Sequence, residues 1–110
     1  MEQNNLLIKG SLTVIILRLL QNNGKLYGYE IMNMVRQSSK GRISITDAAL
    51  YKALHKLHAD GYIIQKEIVE EARAKKFYLL SRKGRYAATT EALRMKEAIS
   101  QMQKLLRYKR

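Results

Sequence analysis

Basic and hydrogen-bonding side chains share one face of a predicted helix over residues 46–60. At about 100° per residue, the outward face of this helix holds Ala48, Lys52, His55 and Ala59, flanked by Tyr51 and Lys56. This face contains no acidic residue. Lysine and histidine donors can reach DNA phosphates and base edges, and small alanines allow close approach to a groove. The pattern predicts a helix that contacts double-stranded DNA.

A second group of cations follows in a predicted β-hairpin. Residues 62–69 and 75–80 have the composition of strands, and residues 70–74 form a polar connection between them. The predicted tip carries Arg73, Lys75 and Lys76. Beside a DNA-contacting helix, such a tip is expected to lie along the adjacent minor groove or its phosphates.

Thr46, Tyr27 and Tyr51 complete the predicted DNA surface. Thr46 is a good N-cap and is followed by Asp47, which suits the positive end of a helix. Tyr27 precedes the second predicted helix, whose first backbone N–H groups favour a phosphate. A phosphate contact and simple core packing remain alternatives for Tyr27, and Tyr51 borders the outward face.

Other chemistries find little support in the sequence. His55 and His58 are three residues apart, but they lack a matching set of Cys or carboxylate ligands, so no metal or cofactor is expected. The chain contains no glycine-rich phosphate loop, nucleophile motif or paired catalytic carboxylates. The sequence therefore predicts a binding protein and not an enzyme.

The order of elements indicates how these side chains are held. Residues 12–20 are apolar on nearly every side, residues 28–34 form a second helix, and Leu50, Ala53, Leu54 and Leu57 form the buried stripe of the third. Helix, helix, helix, hairpin and helix predict a mainly α fold with a small β-hairpin. We expect a winged helix-turn-helix domain over residues 6–80 and a dimerisation helix over residues 81–108.

The last helix predicts a second subunit. Its apolar positions are spaced by four and three residues, as in a heptad seam, and the apolar first helix also needs additional cover. The predicted dimer interface consists of Leu12, Ile15, Ile16, Ala88, Ala92, Met95, Ile99, Met102 and Leu106. Met95, Ile99 and Met102 could also line a cavity for a small apolar or aromatic effector.

Composition agrees with a cytoplasmic domain that binds an anionic partner. The 110 residues carry 21 Lys and Arg against 9 Asp and Glu, a formal charge of +12, with no Cys, Pro or Trp. The apolar runs are too short for a membrane span, and no membrane partner is expected. Residues 81–110 carry +7 of the net charge. Among them, Arg82, Lys83 and Arg85 could reach the DNA backbone near the base of the predicted hairpin, which we call the wing.

Three blocks of sequence resemble the PadR-like family of transcriptional regulators. Residues 26–31 (LYGYEI) match its YGYEI block, and residues 49–63 resemble its recognition-helix block LYPAL..L...GLI. Residues 75–84 (KKFYLLSRKG) are similar to its wing strand and following helix start. The single C-terminal helix is similar to the compact branch of the family.

This resemblance implies a homodimer, usually a repressor, that binds a palindromic operator. It also implies that the C-terminal helix packs on the first helix of the partner subunit. Some compact members hold aromatic compounds at that interface against an aromatic side chain, whose position is occupied here by Met95. Lys52 stands where many members have proline, which adds a cation to the groove-facing side.

Two functional hypotheses follow from the sequence. The first is a sequence-specific, dimeric transcriptional repressor that binds its operator through residues 46–60 and 70–76 and is released by a small apolar ligand. The second is a winged-helix module that binds a ligand or a protein without sequence-specific DNA binding.

Overall fold

The computed structural model describes residues 8–110, which form four helices and a three-stranded sheet. The elements in chain order are α1 (Ile8–Asn23), β1 (Lys25–Tyr27), α2 (Gly28–Ser38), α3 (Asp47–Ala59), β2 (Ile63–Glu70), β3 (Arg73–Leu80) and α4 (Arg82–Arg107). The mainly α fold, the hairpin and the long last helix are confirmed. The predicted N-terminal boundary at residue 6 lies outside the described residues.

Helix α1 is the centre of the core. Ile16 and Leu20 are almost fully buried, and α1 packs against α3, α4, β1 and β3. The nearly all-round apolar character of residues 12–20 is explained in this way, because neighbours within the same chain cover most of the helix. Ile15 and Leu19 remain only partly buried.

The sheet has the order β1–β3–β2, and both pairings are antiparallel. The predicted connection over residues 70–74 was too long, because the strands run on to Glu70 and from Arg73 and are joined only by Glu71 and Ala72. Both turn residues have positive φ, +49° and +63°, as a two-residue type I′ turn requires. Arg73, Lys75 and Lys76 therefore lie along β3, and only Arg73 adjoins the turn.

Strand β1 was missed by the sequence analysis. Lys25, Leu26 and Tyr27 pair with Leu79, Tyr78 and Phe77 of β3. This pairing ties the start of α2 to the base of the wing, and α2 itself continues four residues beyond the predicted end.

The ends of α3 and the start of α4 follow the expected local rules. The Thr46 hydroxyl accepts a hydrogen bond from the Ala49 backbone N–H (3.1 Å), and Ser81 caps α4 in the same way through Gly84 N–H (3.0 Å). Gly61 follows α3 with φ of +80°, the left-handed conformation that glycine adopts without a steric penalty.

Part of the predicted dimer surface lies inside the subunit. Leu12, Ile16, Ala88 and Ala92 are all less than 9% exposed, and α4 packs against α1 of its own chain. Because alanine has so short a side chain, Ala88 and Ala92 allow the two helices to approach closely. Leu12, Ile16 and Ala88 thus belong to the core of the subunit itself, and Ala92 is buried but lines a recess beside α1. Ile15, Met95, Ile99, Met102 and Leu106 keep a wholly or partly exposed side chain.

Replacement of Gly84 by alanine is expected to destabilise the fold strongly. A Cβ at this position would lie 1.9 Å from the Tyr62 carbonyl oxygen, a backbone atom that cannot rotate away. We expect a loss of about 3 kcal/mol in the free energy of unfolding, measured by urea denaturation.

Gly10→Ala is the matched control, because Gly10 also lies in a helix but its added Cβ would meet no atom within 4 Å outside that helix's own backbone and its chain neighbours, among the described residues. This variant should gain about 0.5–1 kcal/mol from helix propensity. Equal stabilities for the two variants would contradict the close contact at Gly84.

Candidate nucleic-acid interface

The outward face of α3 is exposed along its whole length. Leu50, Ala53, Leu54 and Leu57 are buried beneath it, so the opposite side of the helix faces solvent. All the residues of this segment that were predicted to contact DNA are exposed, namely the N-cap Thr46 and Ala48, Tyr51, Lys52, His55 and Lys56. No acidic side chain interrupts residues 48–59.

A cleft of about 460 Å³ lies between the start of α2, α3 and the wing, and we call it the tyrosine–lysine cleft. It is lined by Tyr27, Gly28, Tyr29, Tyr51, Ala74, Lys75 and Lys76. Four of the predicted DNA-contacting residues, Tyr27, Tyr51, Lys75 and Lys76, are therefore brought together here. Lys52, His55, Lys56 and Arg73 are not among the residues that line it.

Glycine at position 28 lets α3 approach the start of α2. A Cβ there would lie 3.0 Å from the Tyr51 hydroxyl oxygen, tighter than an ordinary van der Waals contact. The Tyr51 hydroxyl therefore lies beside the first turn of α2, where backbone N–H groups concentrate positive potential. Tyr51 remains 51% exposed, so this hydroxyl is open to a ligand from solvent.

Tyr27 is held by an aromatic cluster on the outer face of the sheet. Its ring stacks on Tyr29 (5.8 Å between centroids) and meets Phe77 edge-on (6.1 Å). The Lys25 ammonium lies 5.1 Å from the centroid of Phe77. Since the Tyr27 N–H also donates to the Glu30 carboxylate (2.8 Å), both the ring and the backbone of Tyr27 are fixed. Tyr27 thus packs against aromatic neighbours and still lines the tyrosine–lysine cleft.

The cations of the interface are held only loosely by acids. Lys56 is 3.9 Å from Asp60, and Lys75 is 3.9 Å from Glu70, with all four side chains largely exposed. Within residues 8–110, Lys52, Arg73 and Lys76 form no ion pair shorter than 4 Å. Exposed pairs of this kind contribute about 0–1 kcal/mol, so a phosphate can replace the carboxylate at little cost.

The base of the wing contains a perturbed tyrosine. Burial raises the pKa of Tyr78, and the nearby Tyr51 adds to the effect by charge repulsion. Leu26 of β1 pairs with Tyr78 and lies in the same hydrophobic core. Tyr78 therefore belongs to the core close to Tyr51.

Lys25 and Tyr29 adjoin this surface, and the sequence analysis did not include them among the predicted DNA-contacting residues. Both belong to the aromatic cluster around Tyr27, and Tyr29 also lines the cleft. The alternation of Lys25, Leu26 and Tyr27 was a possible signal of a strand, but three residues are too few for periodicity to decide.

Other kinds of site are not formed by the described part of the chain. Among residues 8–110, no three His, Asp or Glu side chains are grouped as metal ligands would be. Over the same range no helix combines the length and apolar character needed to cross a membrane.

Comparison with known proteins gives one clear family. Residues 16–90 match the model of the transcriptional regulator PadR-like family. A transcriptional regulator from Clostridium thermocellum is similar in structure, with 27% identity and a TM-score of 0.80 over 88% of this chain and 94% of that one. No curated protein sequence matches the chain.

Two further structures extend the comparison. A PadR family regulator from Eggerthella lenta has the same fold, with 19% identity and a TM-score of 0.80 over 94% of this chain and 88% of that one. Bacillus subtilis PadR, solved in complex with operator DNA, shares 27% identity with a TM-score of 0.66. The match covers 74% of this chain and 46% of the Bacillus chain.

The raised pKa of Tyr78 predicts a loss of stability at high pH. The folded state binds the phenol proton more tightly than the unfolded state, whose pKa is near 10. The resulting stabilisation is present below pH 10 and is lost as the pH rises through the folded pKa. Tyr78→Phe should therefore lose less stability above pH 10 than the wild type, measured by urea denaturation across pH 9–11.

Tyr86→Phe is the control for this titration, because Tyr86 is 76% exposed and lies outside the core. Because this change removes only an exposed hydroxyl, it controls for the substitution itself. An unchanged pH dependence in Tyr78→Phe would exclude Tyr78 as a cause of alkaline destabilisation.

Proposed function

The chain belongs to the PadR-like family of transcriptional regulators, and we propose that it is a cytoplasmic, homodimeric repressor that binds a palindromic operator. The observation that carries this proposal is the acid-free, exposed face of α3 next to a cationic wing. In a winged helix-turn-helix, the second helix of the pair enters the major groove. Here that helix is α3.

The outward residues of α3 fit base and backbone contacts in the groove. Lys52 and His55 can donate to base edges or phosphates, and Ala48 permits close approach. Lys52 and His55 are three residues apart, so both can face the same groove. We assign sequence discrimination to this face, together with Thr46 and Lys56 at its two ends.

The tyrosine–lysine cleft fits the DNA backbone next to that groove. The Tyr51 hydroxyl lies beside the first turn of α2, and Lys75 and Lys76 lie opposite on the wing. Hydroxyl, backbone N–H and ammonium donors around one cleft suit a phosphate. Arg73 adds a further cation at the end of the wing, where Glu70 lies opposite it in the strand register.

A second copy of the chain is proposed to cover the distal half of α4. Beyond the part packed on α1, the helix exposes Ile99, Met102, Leu105 and Leu106. Ile15 and Leu19 of α1 are only partly buried and lie near this surface. An isolated subunit would leave these apolar side chains in water, which burial against a partner avoids.

An apolar recess at the same surface is the proposed effector site. Its volume is about 230 Å³, and it is lined by Val14, Ile15, Arg18, Leu19, Ala92, Met95, Lys96 and Ile99. Two of the three residues proposed for an effector cavity, Met95 and Ile99, line this recess, and Met102 does not. A small apolar or aromatic molecule held here would lie between α1, α4 and the partner subunit.

Loss of either Lys52 or Arg73 is expected to weaken operator binding. The operator is first obtained by sequencing genomic fragments bound by the purified protein. Lys52→Ala and Arg73→Ala should each bind it about tenfold more weakly, and each lost phosphate contact should lower the salt slope of log K by about one. Gel shifts over a series of salt concentrations measure both quantities.

Lys104→Ala is the matched control, since it removes an equal charge from an exposed position at the far end of α4. Its operator affinity should remain close to that of the wild type. If all three variants bind as the wild type does, the assigned surface is wrong. Equal displacement by operator and random DNA would instead favour a module without sequence-specific binding.

Ile99→Asp is expected to separate the dimer without unfolding the subunit. Ile99 is 39% exposed in the single chain, so an aspartate is tolerated there until a partner buries it. We expect the dimer dissociation constant to rise by about a hundredfold or more, measured by sedimentation equilibrium.

Leu93→Asp is the control for this change, because Leu93 is 54% exposed and lies about 120° around α4 from Ile99. It should leave the dimer intact. Sedimentation of Ile99→Asp as an unchanged dimer would remove this surface from the proposed interface.

A further inference from the structure

Three consecutive backbone carbonyls that follow α3, the proposed recognition helix, accept hydrogen bonds from residues at the start of α4. The Asp60 carbonyl accepts from the Lys83 ammonium (2.7 Å), and the Gly61 carbonyl accepts from the Ser81 hydroxyl (2.7 Å). The Tyr62 carbonyl accepts from the Ser81 N–H (3.1 Å). We call this set of contacts the α3–α4 joint.

The Ser81 hydroxyl forms hydrogen bonds at the end of α3 and at the start of α4. Its hydroxyl donates to the Gly61 carbonyl after α3 and accepts from the Gly84 N–H in the first turn of α4. Gly84 lies so close to the Tyr62 carbonyl that no side chain fits between them. The two backbones are therefore in direct contact, with little freedom to tilt against each other.

Lys83 is placed unfavourably for its own helix and favourably for α3. The first turn of α4 has no acidic residue, and a cation near a helix N-terminus opposes the helix dipole. The same ammonium lies at the C-terminal end of α3, where the dipole and the last carbonyls attract a cation. It also lies 4.4 Å from the centroid of the Tyr62 ring, so a cation–π contact fixes it further.

We propose that Lys83 and Ser81 are positioning residues that fix the direction of the recognition helix relative to α4. Lys83, which the sequence places among cations able to reach the DNA backbone, acts within the subunit. The inference deepens the proposed function and rests on it for its effect on DNA. In a dimer joined through α4, the joint sets the angle and separation of the two recognition helices.

This positioning role predicts that variants of the α3–α4 joint lose the fixed orientation of the recognition helices and keep their DNA contacts. Half-sites in such operators lie about one helical turn apart, near 34 Å, so two recognition helices must be held in matching orientation. A loosened joint makes the free protein sample more orientations, which must be ordered when both half-sites are occupied. The defect is a loss of preorganisation, and the number of phosphate contacts does not change.

Spin-label distances test the joint directly. The chain has no cysteine, so His58→Cys on α3 and Glu97→Cys on α4 provide two unique and exposed labelling sites. Labelled chains are mixed with excess unlabelled chain, so that the measured distance lies within one subunit. Lys83→Met should broaden the distance distribution, and Lys83→Arg, which keeps a donor and a cation, should restore it.

Arg82→Met is the matched control, because it removes a neighbouring cation that makes no hydrogen bond to α3 among the described residues. Its distance distribution should overlap that of the wild type. A Lys83→Met distribution that also overlaps the wild type would overturn the proposal.

Operator binding gives the second readout. Lys83→Met should weaken binding to the two-site operator by about three- to tenfold, with no change in the salt slope and with weaker discrimination between half-site spacings. A salt slope lowered by about one, with an unchanged distance distribution, would make Lys83 a phosphate contact and contradict the joint. If the wild type does not prefer operator over random DNA, the proposed function fails, and the spin-label distances still decide whether Lys83 fixes α3.

Discussion

The apolar helix α1 is the constraint on which the rest of the molecule depends. A chain of 110 residues can bury only one small core, and α1 supplies the centre of it. Because α3, α4 and the sheet all pack on α1, each can expose only the face turned away from it. The exposed sides of α3 and of the distal α4 are direct consequences of this arrangement.

The positions of the charged residues, and not the net charge, distinguish the surface around α3 from the surface of residues 81–110. More than half of the net +12 lies in residues 81–110, much of it far from α3. The cations next to α3 are few, and the acidic partners of Lys56 and Lys75 are exposed and weakly held. Such a surface exchanges its own carboxylates for phosphates easily, while the distant charge contributes mainly long-range attraction.

Local rules predicted much of the fold, and contacts distant in sequence account for what was missed. The stripe of α3 and the caps at Thr46 and Ser81 depend on residues three or four apart, so the sequence alone reveals them. Strand β1 exists only because β3 pairs with it, and the wing turn adopts positive φ at Glu71 and Ala72 without the usual Asn or Gly. Likewise, the spacing of Ala88 and Ala92 is compatible with packing of α4 against either a partner subunit or α1. Periodicity alone does not distinguish these two neighbours.

Because α4 is long, a small rotation at the α3–α4 joint produces a large displacement at the far end of α4. Twenty-six residues at 1.5 Å each give an arm of about 39 Å. A tilt of about 5° at the pivot would move the far end of such an arm by roughly 3 Å, close to one residue along a strand. In the proposed dimer, small shifts at the subunit interface would thus reach α3 as changes of angle, and the rigidity of a few hydrogen bonds would determine how much of each shift is transmitted.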